Sequence, residues 1–311
     1  MSSEGAAQRL VANAPLGVFD SGLGGLTVVA ALRRTLPRER IIYLGDTARV
    51  PYGTRSAETV VRYARGCAKL LVDRGVKALI IACNTVSAVA VDILRAELDL
   101  PILGVIEPGA RAALNALPHQ SGGPIGVLCT IGTAASGAYP RAVNQLSTRS
   151  EVVAQAAPLL VPLVEEGWLT GDVPRLAVRR YLEPLVAANV SVIVLGCTHY
   201  PLLKQTIAEV AAEMSGRAIP VVDSAQATAA AVEAWINDEK VSPASSPPLP
   251  GTELELLVTD LPKSFAAMAE QMLGVLAPAG SQVARPARHA LALRRHALAL
   301  RRLWRTWLRP I

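Results

Sequence analysis

Much that would place this chain in a common functional class is missing from it. The four cysteines, Cys67, Cys83, Cys129 and Cys197, are scattered over 311 residues and never fall at CxxC spacing. That argues against a disulfide-stapled domain and a zinc-finger spacing, and leaves free thiols. No apolar run is long enough to cross a bilayer, so no transmembrane segment is expected. The opening stretch MSSEGAAQRLVANAPLG has no apolar core behind a basic start, so no secretion signal is expected and the protein is assigned to the cytoplasm. Aromatic residues make up only 4% of a chain that is 51% hydrophobic. The apolar content is mostly Ala, Val and Leu, which suits the strand–helix contacts of an α/β protein. A basic body is missing too. Residues 285–309 hold eight of the 31 basic residues, all arginine, and no acid, leaving 23 basic against 25 acidic residues elsewhere. Any polyanion contact therefore belongs to that tail.

The length fits two domains of ordinary size. Within it, Val76–Thr85, VKALIIACNT, is a short continuous apolar run that ends on Cys83, Asn84 and Thr85. It reads as a strand covered on both faces, with Cys83 at the carboxyl end where parallel sheets bind ligands. Val18–Phe19 likewise ends on Asp20, and Asp20-Ser21-Gly22-Leu23-Gly24-Gly25 leads into a helix over Thr27–Leu36. Such a Gly-rich turn suits an anion such as a carboxylate, or simply tight strand–helix packing; it does not match GxGxxG, so a dinucleotide site is a weaker alternative. Arg40–Leu44 reads as a strand, Ser56–Arg74 and Thr85–Leu98 as helices, and Leu100–Pro108 as a strand. Further on, Glu253–Val258 reads as a last strand and Lys263–Leu276 as a last helix, with 241–252 a loop between.

The chain then echoes itself. Pro15–Gly22 resembles Pro124–Gly132, Val76–Thr85 resembles Val190–His199, and Leu100–Leu103 resembles Ile219–Asp223, in the same order and at similar offsets, 109 and 114 residues for the first two. This order implies two copies of one α/β unit. It also puts Cys83 and Cys197 at equivalent strand ends, the first followed by Asn84-Thr85 and the second by Thr198-His199.

A lone buried cysteine is usually a small packing residue, but two at matched strand ends invite a chemical reading. A disulfide fits the compartment poorly, metal binding would want more ligands than His199 adds, and a single cysteine nucleophile with His199 leaves one thiol idle. Racemisation uses both. Inverting a carbon stereocentre needs a base on one face and an acid on the other, and two thiols can exchange those roles.

Taken together, DSGLGGLTV at Asp20–Val28, GDTARVPYG at Gly45–Gly53, ACNT at Ala82–Thr85, PLVEEG at Pro162–Gly167 and GCTHYPLL at Gly196–Leu203 resemble glutamate racemase, of the aspartate/glutamate racemase superfamily. The resemblance covers roughly residues 15–270. It implies two similar three-layer α/β domains with mainly parallel sheets, the active site in the cleft between them, and a homodimer. It also implies conversion of L-glutamate to D-glutamate for peptidoglycan without pyridoxal phosphate or metal. Residue by residue, it implies that Cys83 and Cys197 are the two bases, with Asp20 assisting the first and His199 the second. Ser21, Asn84, Thr85 and Thr198 would hold the substrate's carboxylate and ammonium groups. Tyr52 and Gly53 would border the pocket, Thr130 and Thr133 contribute from the second unit, and Glu165, or its neighbour Glu166, would be the acidic group.

The expected domains are 13–106 completed by 215–270, then 107–214, then the tail from 271 to 311. Cys129 stands where the family would have Ala or Gly. The tail's tandem repeat, His289–Arg295 and His296–Arg302, has no counterpart in the family. It reads as an imperfect basic amphipathic helix, which is either a solvated appendage or an arm for a polyanion, a lipid surface or a partner such as a DNA-acting enzyme. The rival functions are a related aspartate or hydantoin racemase, and a racemase fold used mainly as a binding module through its tail.

Overall fold

Short apolar strands alternating with amphipathic helices fold into two parallel sheets. The computed structural model describes residues 12–117, 123–249, 251–261 and 265–274. One sheet contains β1 (Leu16–Asp20), β2 (Ile41–Gly45), β3 (Ala78–Ile81), β4 (Ile102–Gly104) and β9 (Leu254–Val258), in the order β4-β3-β1-β2-β9. The other contains β5 (Ile125–Cys129), β6 (Val152–Ala156), β7 (Val192–Gly196) and β8 (Val221–Asp223), in the order β6-β5-β7-β8. The paired strands are all parallel. The helices between them are α1 (Leu26–Thr35), α2 (Ala57–Val72), α3 (Asn84–Glu97), α4 (Ile106–Asn115), α5 (Ile131–Ser136), α6 (Ala138–Leu146), α7 (Leu160–Glu165), α8 (Asp172–Ala187), α9 (Lys204–Ser215), α10 (Ser224–Asn237) and α11 (Phe265–Gly274).

The two-sided burial of the strands explains their unbroken apolar sequences. In β3, Ala78 and Ile80 join the core that holds Leu26 and Leu32 of α1, while Leu79 and Ile81 join the core that holds Val60 and Leu71 of α2 and Val86 and Leu94 of α3. Strand β7 alternates in the same way, Ile193 and Leu195 to one core and Val192 and Val194 to another. Each such Leu, Ile or Val contributes roughly 1.5–3 kcal/mol by leaving water.

The repeat read in the sequence reappears in the topology. The first sheet runs β4-β3-β1-β2 and the second β8-β7-β5-β6, the same order, with β9 added beyond β2. The expected segment 215–270 thus contributes a strand to each sheet. Strand β8 pairs with β7 and completes the second sheet, as its match to Leu100–Leu103 requires. Within 215–270 it is β9 that joins the first sheet, through β2. The expected strand over Leu100–Pro108 is also shorter, because α4 already begins at Ile106. Pro108 lies in that helix's first turn, where a missing N–H leaves no bond unmade.

An ion pair ties the connections near the amino ends of these strands. Lys77 Nζ lies 2.6 Å from Glu39 Oε2, with side chains 3% and 4% exposed. Lys77 also donates to Ala12 O and Ser242 O, and Ala244 N donates to Glu39 Oε1. Among the described residues no helix is long and apolar enough to cross a membrane. The arginine-rich stretch 285–309 lies outside the described residues.

Candidate active site

In a parallel sheet the chain leaves a gap where successive connections run in opposite directions, and ligands bind at the carboxyl ends beside it. Here that point falls between β1 and its neighbour β3 in one sheet, and between β5 and its neighbour β7 in the other. The residues just past those strands are Asp20-Ser21, Cys83-Asn84, Thr130 and Cys197-Thr198. All seven border one cavity of about 290 Å³ except Asp20, which lies fully buried behind Ser21.

Cys83 follows β3 and occupies the position before the first residue of α3. Its Sγ is 3.4 Å from Ser21 Oγ. Burial, reinforced by the charge of Asp20, pushes the thiol up to about 12, although the Ser21 hydroxyl and the Val86 N–H act the other way. At neutral pH Cys83 is therefore held as a thiol. Burial likewise raises the Asp20 carboxyl, while His199 and the backbone N–H groups of Gly22, Gly25 and Ser21 pull it back down. Gly22 N donates to Asp20 Oδ2 at 3.0 Å, and Thr198 Oγ1 donates to Oδ1 at 3.4 Å.

Cys197 has different company. Its Sγ lies 3.9 Å from His199 Nδ1, and His199 Nε2 lies 3.3 Å from Glu165 Oε1, an ion-pair distance without the alignment of a hydrogen bond. Burial alone would lower the imidazole, but the interactions with Cys197 and Glu165 outweigh it and raise His199 to about 10. His199 is thus protonated at neutral pH, the kind of positive neighbour beside which a cysteine reacts as a thiolate. The close approach depends on glycine: a side chain at Gly24 would bring its Cβ to 2.6 Å from His199 Nδ1 and closer still to Thr198 Oγ1.

Hydroxyls bridge the two units. Thr85 Oγ1 lies 2.9 Å from Thr130 Oγ1 and 3.4 Å from Thr133 Oγ1, and Thr130 caps α5 by accepting from Thr133 N. Nearby, Gly132 N donates to Gly53 O at 2.9 Å. Tyr52 and Gly53 lie on the cavity wall, as the resemblance implies, with the Tyr52 hydroxyl turned away to Asp46. Glu165 borders the cavity; Glu166, at the end of α7, does not. Cys129 is no part of the wall. It is fully buried in the core of the second unit, and burial pushes its thiol up to about 12.

Sequence reasoning missed Tyr139. From α6 its hydroxyl donates to Asn84 Oδ1 at 2.8 Å, and the buried Nδ2 of Asn84 has no protein partner. A single tyrosine in a helical stretch carries no signal that could have found it. Among the described residues no three His, Cys, Asp or Glu side chains are grouped to hold a metal ion.

The family model described as Asp/Glu/hydantoin racemase matches residues 25–232. The chain belongs to that family. It is 46% identical over 260 residues to a glutamate racemase of Geobacter metallireducens, covering 83% of this chain and 92% of the relative. A glutamate racemase of Aquifex aeolicus is 42% identical, covering 83% and 94%. Among solved structures, glutamate racemase isoform RacE1 from Bacillus anthracis superposes with a TM-score of 0.77 at 35% identity, covering 85% of this chain and 95% of that one. The Francisella tularensis glutamate racemase, solved in complex with D-glutamate, gives a TM-score of 0.74 at 35% identity, covering 84% and 94%. Membership makes this racemase-family chain an enzyme of the isomerase class.

Proposed function

We propose that the protein interconverts L-glutamate and D-glutamate by two-base proton transfer at Cα, with Cys83 and Cys197 as the exchanging acid and base and no cofactor. The observation that carries this reading is the pair of thiols at equivalent strand ends on one cavity. Each has its own partners, Ser21 and Asp20 for Cys83, and His199 backed by Glu165 for Cys197. A substrate carbon between them meets a thiol on one side and, on the other, a cysteine beside an imidazolium. One takes the α-proton and the other returns a proton to the opposite face.

The α-proton of an amino acid is a weak acid, so the developing negative charge must be met by fixed donors in a site with little water. The unpartnered Nδ2 of Asn84 and the Thr85, Thr130 and Thr198 hydroxyls supply donors for the substrate's carboxylates. The name of the Francisella relative's ligand supports glutamate as the substrate. Consistent with the family resemblance, we assign the protein to the cytoplasm as a homodimer that supplies D-glutamate for peptidoglycan.

Polarimetry on L-glutamate, with a chelator present and no pyridoxal phosphate, tests the reading. Loss of rotation to a racemic end point is expected, with aspartate turned over far more slowly. Turnover of aspartate or a hydantoin in preference to glutamate would move the assignment to a related racemase. No turnover of any of them would overturn it.

A further inference from the structure

The loop that carries Tyr52 and Gly53 to the cavity wall is held from behind, by residues that no part of the proposed chemistry uses. Asp46, just past β2, is fully buried. It accepts a hydrogen bond from the Tyr52 hydroxyl on Oδ2 and one from Thr259 Oγ1 on Oδ1 at 2.7 Å. Thr259 follows β9, the strand added beside β2, and lies outside the 25–232 stretch matched by the family model. Its hydroxyl serves twice, since Ala48 N donates to the same oxygen at 3.0 Å. The backbone is fastened alongside: Thr259 N donates to Gly45 O, Asp260 N donates to Thr47 Oγ1, and that hydroxyl donates to Asp260 O. On the far side Arg49 lies 3.4 Å from Asp46 Oδ2 and stacks over the ring of Tyr63, which itself packs on Tyr52.

We propose that Thr259 is a positioning residue for the site: through Asp46 it fixes the Tyr52 hydroxyl and so sets where Tyr52, Gly53 and Thr54 stand on the cavity wall. The inference rests on the proposed glutamate reading for its kinetic test. Its physical basis is independent of the substrate. A buried carboxylate needs its lone pairs satisfied, and here the donors come from two places in the chain: Tyr52 at the wall and Thr259 behind it. Removing the Thr259 hydroxyl leaves Asp46 Oδ1 and Ala48 N both short of a partner, and the loop shifts to recover one. The substrate then meets a displaced wall in the ground state and the transition state alike, which raises KM more than it lowers kcat.

The test uses the full chain. Thr259→Val, which keeps the shape and removes the hydroxyl, is expected to raise KM for glutamate about tenfold with kcat changed less than about threefold. Thr259→Ser, which keeps the hydroxyl, is expected to restore wild-type values. Tyr52→Phe, which keeps the ring, should give a similar KM rise, and the double variant should be no worse than the poorer single one, because both cut the same link. Without any substrate, amide exchange at residues 52–54 should be about tenfold faster in Thr259→Val. A wild-type KM in folded Thr259→Val, equal impairment in the Val and Ser variants, or additive losses in the double variant would overturn the proposal. If Thr259→Val does not fold, Tyr52→Phe decides: unchanged KM and unchanged exchange at residues 52–54 would refute it. Should the wild type not act on glutamate, the functional reading fails separately and the exchange measurement still decides the clamp.

Discussion

Replacing Glu165 by Gln should move the alkaline limb of the pH–rate profile and leave the fold in place. His199 is raised to about 10, with burial opposing the rise and Cys197 and Glu165 producing it. At the 3.3 Å separation of His199 Nε2 and Glu165 Oε1, two unit charges attract by about 5 kcal/mol at an effective dielectric of 20 and about 1.3 kcal/mol at that of water. The Glu165 side chain is 36% exposed, so solvent screening puts the value toward the low end of that range, about 1.3–2.7 kcal/mol. At 1.36 kcal/mol per unit this is a downward shift of about 1–2 pH units. The sign follows from the charge: without the carboxylate, imidazolium gives up its proton at lower pH, and the limb of kcat/KM that needs it falls earlier. The same proton affects stability. Between about 6.5 and about 10 the folded chain holds a proton on His199 that the unfolded chain has released, so unfolding free energy falls as pH rises through that window. In Glu165→Gln the window closes from its upper end. Rate profiles from pH 6 to 11 and chemical denaturation at several pH values would check both effects. A Glu165→Gln profile superimposable on wild type, or the same shift produced by Glu166→Gln, would refute the reasoning.

Other expectations follow from the same geometry. Cys83→Ser and Cys197→Ser should each lower racemisation by at least about 10²-fold, measured by polarimetry, because a hydroxyl is a far weaker acid than a thiol. Gly24→Ala should cost at least about 10²-fold in kcat/KM with little change in melting temperature, since the added Cβ displaces Thr198 and His199; near-normal activity would show that this contact does not matter. Away from the site, Lys77→Met should destabilise by about 3–5 kcal/mol by leaving Glu39 buried and unpaired. Changing Glu39 and Lys77 together to Met should recover much of that loss in urea titrations.

The strand ends were legible because burial on both faces leaves an apolar run that stops abruptly where polar chemistry begins. Asp20, Cys83 and Cys197 each stand at such a stop, and the internal echo pairs the two thiols. The structure brings every residue singled out for the site to the cavity or directly behind it. What the pattern could not carry was anything fixed by contacts between distant segments. Tyr139 reaches Asn84 across 55 positions and Thr259 reaches Asp46 across 213, and neither spacing leaves a trace in periodicity. Strand β8 pairs with β7 as its match to Leu100–Leu103 implies, but nothing in the pattern of 215–270 shows that β8 and β9 join different sheets. Cys129 stands where the family would have Ala or Gly, a position whose sequence does not say which way the side chain faces. It turns into the core, where Gly196 on the adjacent strand leaves room for it.

The most direct test of the central claim is the fate of the α-proton. L-glutamate is incubated with the full chain in D₂O, and deuterium at Cα is measured by NMR in each enantiomer separated early in the reaction. Two bases on opposite faces predict D-glutamate carrying deuterium while the remaining L-glutamate keeps its proton. Equal deuterium in both enantiomers, or D-glutamate that retains the original proton, would contradict transfer between Cys83 and Cys197.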